Sequence, residues 1–229
     1  QLAAVGTISI LSWLVTAVGS LILAYIFAEA GMFSTKRGGM GGYSEYRFGR
    51  TGHFMANYAY SISLMIANVA IAISAVGYAA VLFDITLTPI QVAQATIVML
   101  WLAALLNFGG NRRTGQISNI TVWGSIIPVI LVGTIGWYWF DPSLYVSAWN
   151  PNDLPFFDAV SSSIAMTIWS FLGFESAAAN ADAVENPKKN VPIATFFGTL
   201  AVAVIYIFST NVLAGIVSNV DLLNYTTPF

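Results

Sequence analysis

Charge-free apolar runs set the rhythm of this chain. Residues 1–28, 54–83, 85–111, 114–140, 159–174 and 190–220 contain no Asp, Glu, Lys or Arg. The fifth run stays apolar to Ala181 and is broken by Glu175. A helix needs about 20 mostly apolar residues to cross roughly 30 Å of hydrocarbon. None of the runs alternates apolar and polar positions as a barrel strand does. The pattern predicts spans at about 7–28, 55–83, 89–107, 116–140, 159–183 and 192–217. The expected fold class is therefore an all-α polytopic membrane protein, with residues 1–229 forming one membrane domain.

The polar stretches between the spans sort by charge. Lys36, Arg37, Arg47 and Arg50 follow the first span, Arg112 and Arg113 the third, and Lys188 and Lys189 the fifth. These are all eight basic residues of the chain. The other connections hold Asp84, then Asp141, Asp153 and Asp158, then Asp221, with no Lys or Arg. By the positive-inside rule, loops 29–54, 107–115 and 184–191 face the cytoplasm. Six spans on that pattern begin and end outside. The first 28 residues are uncharged and the chain opens on Gln1. The expectation is a piece of a longer protein with at least one preceding span.

Composition narrows the function classes. The chain is 57% hydrophobic and 14% aromatic, with 8% charged residues against roughly a quarter in soluble domains. Mean hydropathy is +0.76. A net charge of −2 does not suit a nucleic-acid binder, which needs a basic footprint. Without cysteine, and with His53 as the single histidine, the sequence offers no thiolate chemistry and no expected metal site or cofactor. An intramembrane enzyme would need a nucleophile–base pair at depth, and none is visible in the spans.

Glu175 is the sharpest chemical signal, inside W-S-F-L-G-F-E-S from Trp169 to Ser176. An acid at that depth is costly unless it faces a cavity or a partner. Its alternative role is a protonated side chain bonding to a neighbouring helix. Gly173 would permit an unwound stretch, the device by which transporters expose backbone to a substrate. On an unbroken helix Trp169 and Glu175 stand about 120° apart, and unwinding at 171–173 could turn both into one cavity. An indole and a carboxylate together suit an ammonium ligand. Trp169 alone would read equally as lipid or packing contact.

In the second span Tyr60, Leu64, Asn68 and Ile71 share one helical face. Asn68 is the only amide between Tyr58 and Phe83 and calls for a partner, either a substrate or another helix. The stretch K-R-G-G-M-G-G-Y-S-E-Y, Lys36 to Tyr46, lacks a phosphate-loop pattern. It reads as a tight turn or a dip into the bundle. Glu45, its one acid, could be a solvated partner of Arg47 or Arg50. In E-N-P-K-K-N-V-P, Pro187 and Pro192 read as helix punctuation. The Pro-bearing stretch from Asp141 to Asp158 reads as a structured outer connector.

G-F-E-S, E-N-P-K-K-N-V-P-I-A and K-R-G-G-M-G-G-Y-S-E-Y together resemble the basic amino acid/polyamine antiporters of the amino acid–polyamine–organocation superfamily. V-G-T-I-S-I-L-S-W-L-V-T-A-V-G-S, I-A-N-V-A-I-A-I-S-A-V-G-Y and T-G-Q-I-S-N-I-T-V-W-G extend the resemblance over essentially the whole chain. It implies part of a twelve-span fold of five-plus-five inverted repeats, with the family's substrate-binding first-span motif upstream of this chain. It also implies a bacterial inner-membrane exchanger of putrescine for ornithine, or a proton-coupled putrescine importer, working by alternating access. Cadaverine–lysine exchange, arginine–agmatine exchange and general amino acid permeation are the alternatives. A homodimer is one assembly it allows.

Carried over residue by residue, the resemblance makes Trp169 a gating aromatic and Glu175 a proton-coupling and amine-sensing acid. It makes Tyr60 and Asn68 substrate-facing, and Glu45 a cytoplasmic-side acid that recognises polyamine. Ala30 and Ala178 stand where members of the family carry cysteines, so no thiol role transfers.

Overall fold

The computed structural model describes residues 2–34, 36, 38–179, 184–218 and 221–222. Its helices are α1 (Leu2–Val5), α2 (Ser9–Phe33), α3 (Met40–Leu82), α4 (Pro89–Asn107), α5 (Gly110–Ile135), α6 (Pro142–Ser147), α7 (Phe156–Trp169), α8 (Phe174–Ala179) and α9 (Pro187–Ile216). A 3-10 turn, Gly136–Trp139, extends α5. Every element among the described residues is helical, and six segments are long and apolar enough to cross a membrane. Their large apolar side chains point outward in numbers no water-soluble surface would carry. Trp101, Leu102 and Leu105 on α4, and Ile120 and Trp123 on α5, are all exposed.

α2 is the centre of the bundle, packed against α7 and α9, while α5 lies on α9 and α3 on α4. Small and hydroxyl-bearing residues explain the close approach. Ser9, Ser12, Thr16, Ser20, Ala24 and Ala28 recur every three or four positions on α2, and all are buried. Across the α2–α7 seam, the Ser163 hydroxyl donates to Ser12 Oγ at 2.6 Å, and Ser12 donates to the Val160 carbonyl at 2.7 Å. Higher up α2, Trp13 and Ala17 join Phe171 and Ala203 in a buried cluster that Tyr206 flanks. The Trp13 ring meets Phe171 at 5.8 Å and Tyr206 at 5.5 Å between centroids. Phe171 therefore anchors the segment that follows α7.

Local chemistry sets several helix ends. Thr88 and Gln91 form a reciprocal capping box ahead of Pro89, which fixes where α4 starts. Asp141 caps α6 by accepting from the Ser143 N–H at 2.8 Å and hydroxyl at 2.7 Å. The Ser143 hydroxyl bond holds the Asp141 carboxyl below its ordinary pKa. Tyr145 of α6 donates to Asn211 Oδ1 on α9 at 2.6 Å, securing the outer connector to the bundle.

Three local expectations change. The stretch 29–54 is largely helical, because α2 runs to Phe33 and α3 begins at Met40. Non-helical backbone at Gly49 (φ 61°, ψ −159°) divides a charged segment of α3, residues 40–48, from the apolar span. Likewise α5 starts at Gly110 and α9 at Pro187, well inside the charged stretches. Pro192 does not punctuate, since it lies inside α9, whereas Pro187 is at the first helical position. The predicted fifth span is two helices, α7 and α8. Residues 180–183 at its end, and Arg37, lie outside the described residues.

Candidate functional site

The fifth span breaks where glycine lets it. Past α7 the N–H groups of Ser170, Phe171 and Leu172 bond three residues back, to the carbonyls of Thr167, Ile168 and Trp169, which tightens the chain out of α-helix. Gly173 then adopts φ 122°, a conformation that strains any residue with a Cβ. α8 begins at the next residue. The Glu175 carboxylate turns back over the break, and its Oε2 accepts the Gly173 N–H at 2.9 Å. The acid thus satisfies a backbone donor freed at the break and sits at the positive end of α8.

Buried Phe171 holds the break on the α2–α9 side, and on the other side a cavity of about 430 Å³ opens toward α3. Trp169, Gly173, Glu175 and Ser176 line one wall. Tyr60, Leu64, Asn68 and Ile71 line the facing wall, the same four residues that share one face of the second span. Phe27, Met40 and Phe174 close an end of it, with the Phe27 and Phe174 rings 5.6 Å apart. The Tyr60 hydroxyl lies 3.0 Å from Ser176 Oγ, linking the two walls. Trp169 and Glu175 border the same cavity although an intact helix would hold them about 120° apart.

The cavity combines polar, aromatic and apolar groups. One wall offers a carboxylate and an indole face, the other a phenol and an amide, and the rest is apolar. A carboxylate and an indole bordering one cavity can together bind an ammonium. Leu64, Ile71 and Leu172 supply apolar surface in the same cavity. The Asn68 amide has no hydrogen-bond partner among the described residues and remains available to a ligand.

Glu45 is elsewhere. It lies on the short arm of α3 before Gly49, beside a second cavity of about 730 Å³ bordered by Arg50, His53, Phe54, Asn57 and Tyr58. α3 turns back at Gly49, so its first arm lies against the start of the apolar span, where Gly41 backs onto Asn57 and Glu45 meets His53. Glu45 sits in the charged stretch that precedes the apolar run from residue 54. The expected partners of Glu45, Arg47 or Arg50, are not the ones it meets. Its Oε1 accepts from Lys36 Nζ at 2.7 Å, and its Oε2 lies 3.0 Å from His53 Nδ1. The Lys36 hydrogen bond, chiefly, holds the Glu45 carboxyl below its ordinary pKa.

Of the five expected substrate-binding residues, then, Tyr60, Asn68, Trp169 and Glu175 gather on one cavity and Glu45 on another. Sequence reasoning missed Ser176, Lys36 and His53. Ser176 carried a usable signal, a hydroxyl next to an intramembrane acid. Lys36 and His53 carried none, because the turn before α3 brings Lys36 to Glu45 and the break at Gly49 brings His53 there.

The chain matches the family profile described as amino acid permease over residues 1–228. It is 66% identical to the putrescine transporter PotE of Escherichia coli (strain K12), over 100% of this chain and 52% of that protein. The putrescine transporter PotE of Haemophilus influenzae is 65% identical, over 100% of this chain and 53% of its own length. A cadaverine/lysine antiporter of Escherichia coli (strain K12) is 33% identical, over 94% of this chain and 48% of that protein. The chain spans about half the length of these curated relatives. With six apolar helices, a glycine-broken fifth span and a family match from end to end, this chain belongs to the amino acid permease family.

Proposed function

We propose that this chain forms part of the substrate pathway in a bacterial inner-membrane exchanger of putrescine for ornithine. The observation that carries the reading is the convergence of the Glu175 carboxylate and the Trp169 indole on the cavity walled by Tyr60 and Asn68. Putrescine has two ammonium ends and no carboxylate, so acids and aromatic faces must recognise it. Ornithine adds a carboxylate, which a broken-helix end binds in transporters of this kind. The break at 170–173 is also the place where the fifth span can bend, as alternating access requires. Protons compete with ammonium for Glu175 and couple to transport there. The basic stretches around 29–54, 107–115 and 184–191 face the cytoplasm.

The relatives support putrescine over its longer homologue. Identity is 66% to a putrescine transporter and 33% to a cadaverine/lysine antiporter. The test is counterflow in proteoliposomes holding the full-length protein. Vesicles preloaded with ornithine should accelerate uptake of labelled putrescine, and unlabelled putrescine should compete better than cadaverine or agmatine. Stronger competition by cadaverine or agmatine would transfer the chain to a sister exchanger. Uptake indifferent to preloading would mark a pore and sink the exchange reading.

A further inference from the structure

The glycine-rich stretch that leads into the first arm of α3 lies against the span beyond Gly49. Gly38 and Gly39 take φ of 91° and 51°, and a Cβ on Gly41 would fall 2.2 Å from Asn57 Nδ2. The backbone therefore seats directly against the start of the second span, a close approach that only glycine allows. Its consequence is the position of Lys36. The Lys36 ammonium lies 2.7 Å from Glu45 Oε1 and 5.0 Å from the centre of the Tyr46 ring. His53 covers the other carboxylate oxygen at 3.0 Å. Glu45 is thus fully engaged in the molecule as it stands.

The group on Glu45 is informative. A lysine side chain is a primary ammonium on a four-carbon stem, which is putrescine with its second ammonium replaced by the backbone. Lys36 finds a carboxylate and an aromatic face together, the pair of groups that Glu175 and Trp169 offer in the central cavity. The ion pair is also displaceable, with 36% of the Lys36 side chain and 26% of the Glu45 side chain exposed. The cavity of about 730 Å³ beside it gives an incoming amine room to approach.

We propose that Lys36 is a tethered competitor, an internal butylammonium that occupies Glu45 and that a polyamine must displace on entering from the cytoplasm. The proposal rests on the reading of Glu45 as a polyamine-binding acid. A tethered ligand lowers apparent affinity by the fraction of time that it vacates the site. Lys36 therefore weakens cytoplasmic binding and eases release of imported substrate from Glu45. The glycines serve to deliver it there.

Inside-out vesicles containing the full-length protein, with half-saturation for putrescine measured at the cytoplasmic face, test this directly. Lys36→Gln should lower half-saturation by about two- to fivefold, the range an exposed ion pair allows. Lys36→Arg, which keeps a cation, should stay near wild type, and Lys36→Met replaces the Gln variant if that one expresses poorly. Glu45→Gln should raise half-saturation, and adding Lys36→Gln to it should change nothing further. If Lys36→Gln has no effect or weakens binding while Glu45→Gln raises half-saturation, the competitor idea falls and Glu45 keeps its role. A Lys36→Gln gain that persists in the Glu45→Gln background would mark a general surface-charge effect and overturn the proposal. If Glu45→Gln leaves half-saturation unchanged, the reading of Glu45 falls and the competitor falls with it.

Discussion

The Tyr60 hydroxyl stands 3.0 Å from the Ser176 hydroxyl, across the cavity that separates the second span from the short helix beyond the break. This bond joins the apolar arm of α3 beyond Gly49 to a six-residue helix, α8, that hangs on a glycine. α8 carries Glu175 in its first turn, so the bond helps to set where the carboxylate points.

Tyr60→Phe keeps the ring and removes the bond. A hydrogen bond of this kind is worth about 0.5–1.5 kcal/mol, so putrescine uptake at low substrate should fall roughly two- to tenfold. Ser176→Ala should cost a similar factor, and the double variant little more than either alone. Initial rates in proteoliposomes measure all three. Fully multiplicative losses would show that the two hydroxyls act separately and that the link between the walls is unimportant.

Sidedness gives the second prediction. With all eight basic residues in alternate connections, a cysteine at Ser147 should react with an impermeant thiol reagent added outside intact cells. A cysteine at Asn186 should react only after permeabilisation. Both positions are exposed or turn-located and neither touches the central cavity, so labelling reads accessibility alone. The reverse pattern would invert the topology and place Glu45 on the outer face.

The number of membrane-crossing helices was legible because a charge-free run of span length has few other readings. Helix ends were not, since charge marks where hydrocarbon stops and not where helix stops. Met40–Phe48 is helical although it carries Glu45 and Arg47, and Gly49, not the charge, interrupts it. Capping groups predict an end better, as Thr88, Pro89 and Gln91 do for α4.

The central cavity was legible for two separable reasons. Tyr60, Leu64, Asn68 and Ile71 share a face by helical period alone, and a period survives folding. Trp169 and Glu175 needed a break between them, and Gly173 marked its place. Pairings across a turn leave no such trace. Nothing in the spacing of Lys36, Glu45 and His53 distinguishes them from Arg47 or Arg50 as partners, because the glycine stretch redirects the backbone between Lys36 and Glu45 and the break at Gly49 does so between Glu45 and His53.

In the proposed exchanger Glu175 and Trp169 would divide the recognition of an ammonium between charge and surface, and their substitutions should fail in different ways. Glu175→Gln keeps the volume and a carbonyl oxygen able to accept from the Gly173 N–H, so the break at Gly173 should persist. What it loses is the ionic contact, worth about 1.5–3 kcal/mol for a charged hydrogen bond, so putrescine affinity should fall roughly ten- to a hundredfold. It also loses the group to which the proposal assigns proton coupling. Residual transport should therefore respond less to pH than wild type does. Trp169 supplies a π face with no titrating group. Trp169→Phe or Tyr should retain part of the activity, and Trp169→Leu should lose more, by up to about thirtyfold in half-saturation. Its pH profile should keep the wild-type shape. Uptake and counterflow across pH, in full-length protein at matched reconstitution, separate the two roles. An unchanged pH profile in Glu175→Gln would leave that residue as the cap of α8 and nothing more. Equal transport by Trp169→Leu and Trp169→Phe would remove the indole from substrate recognition.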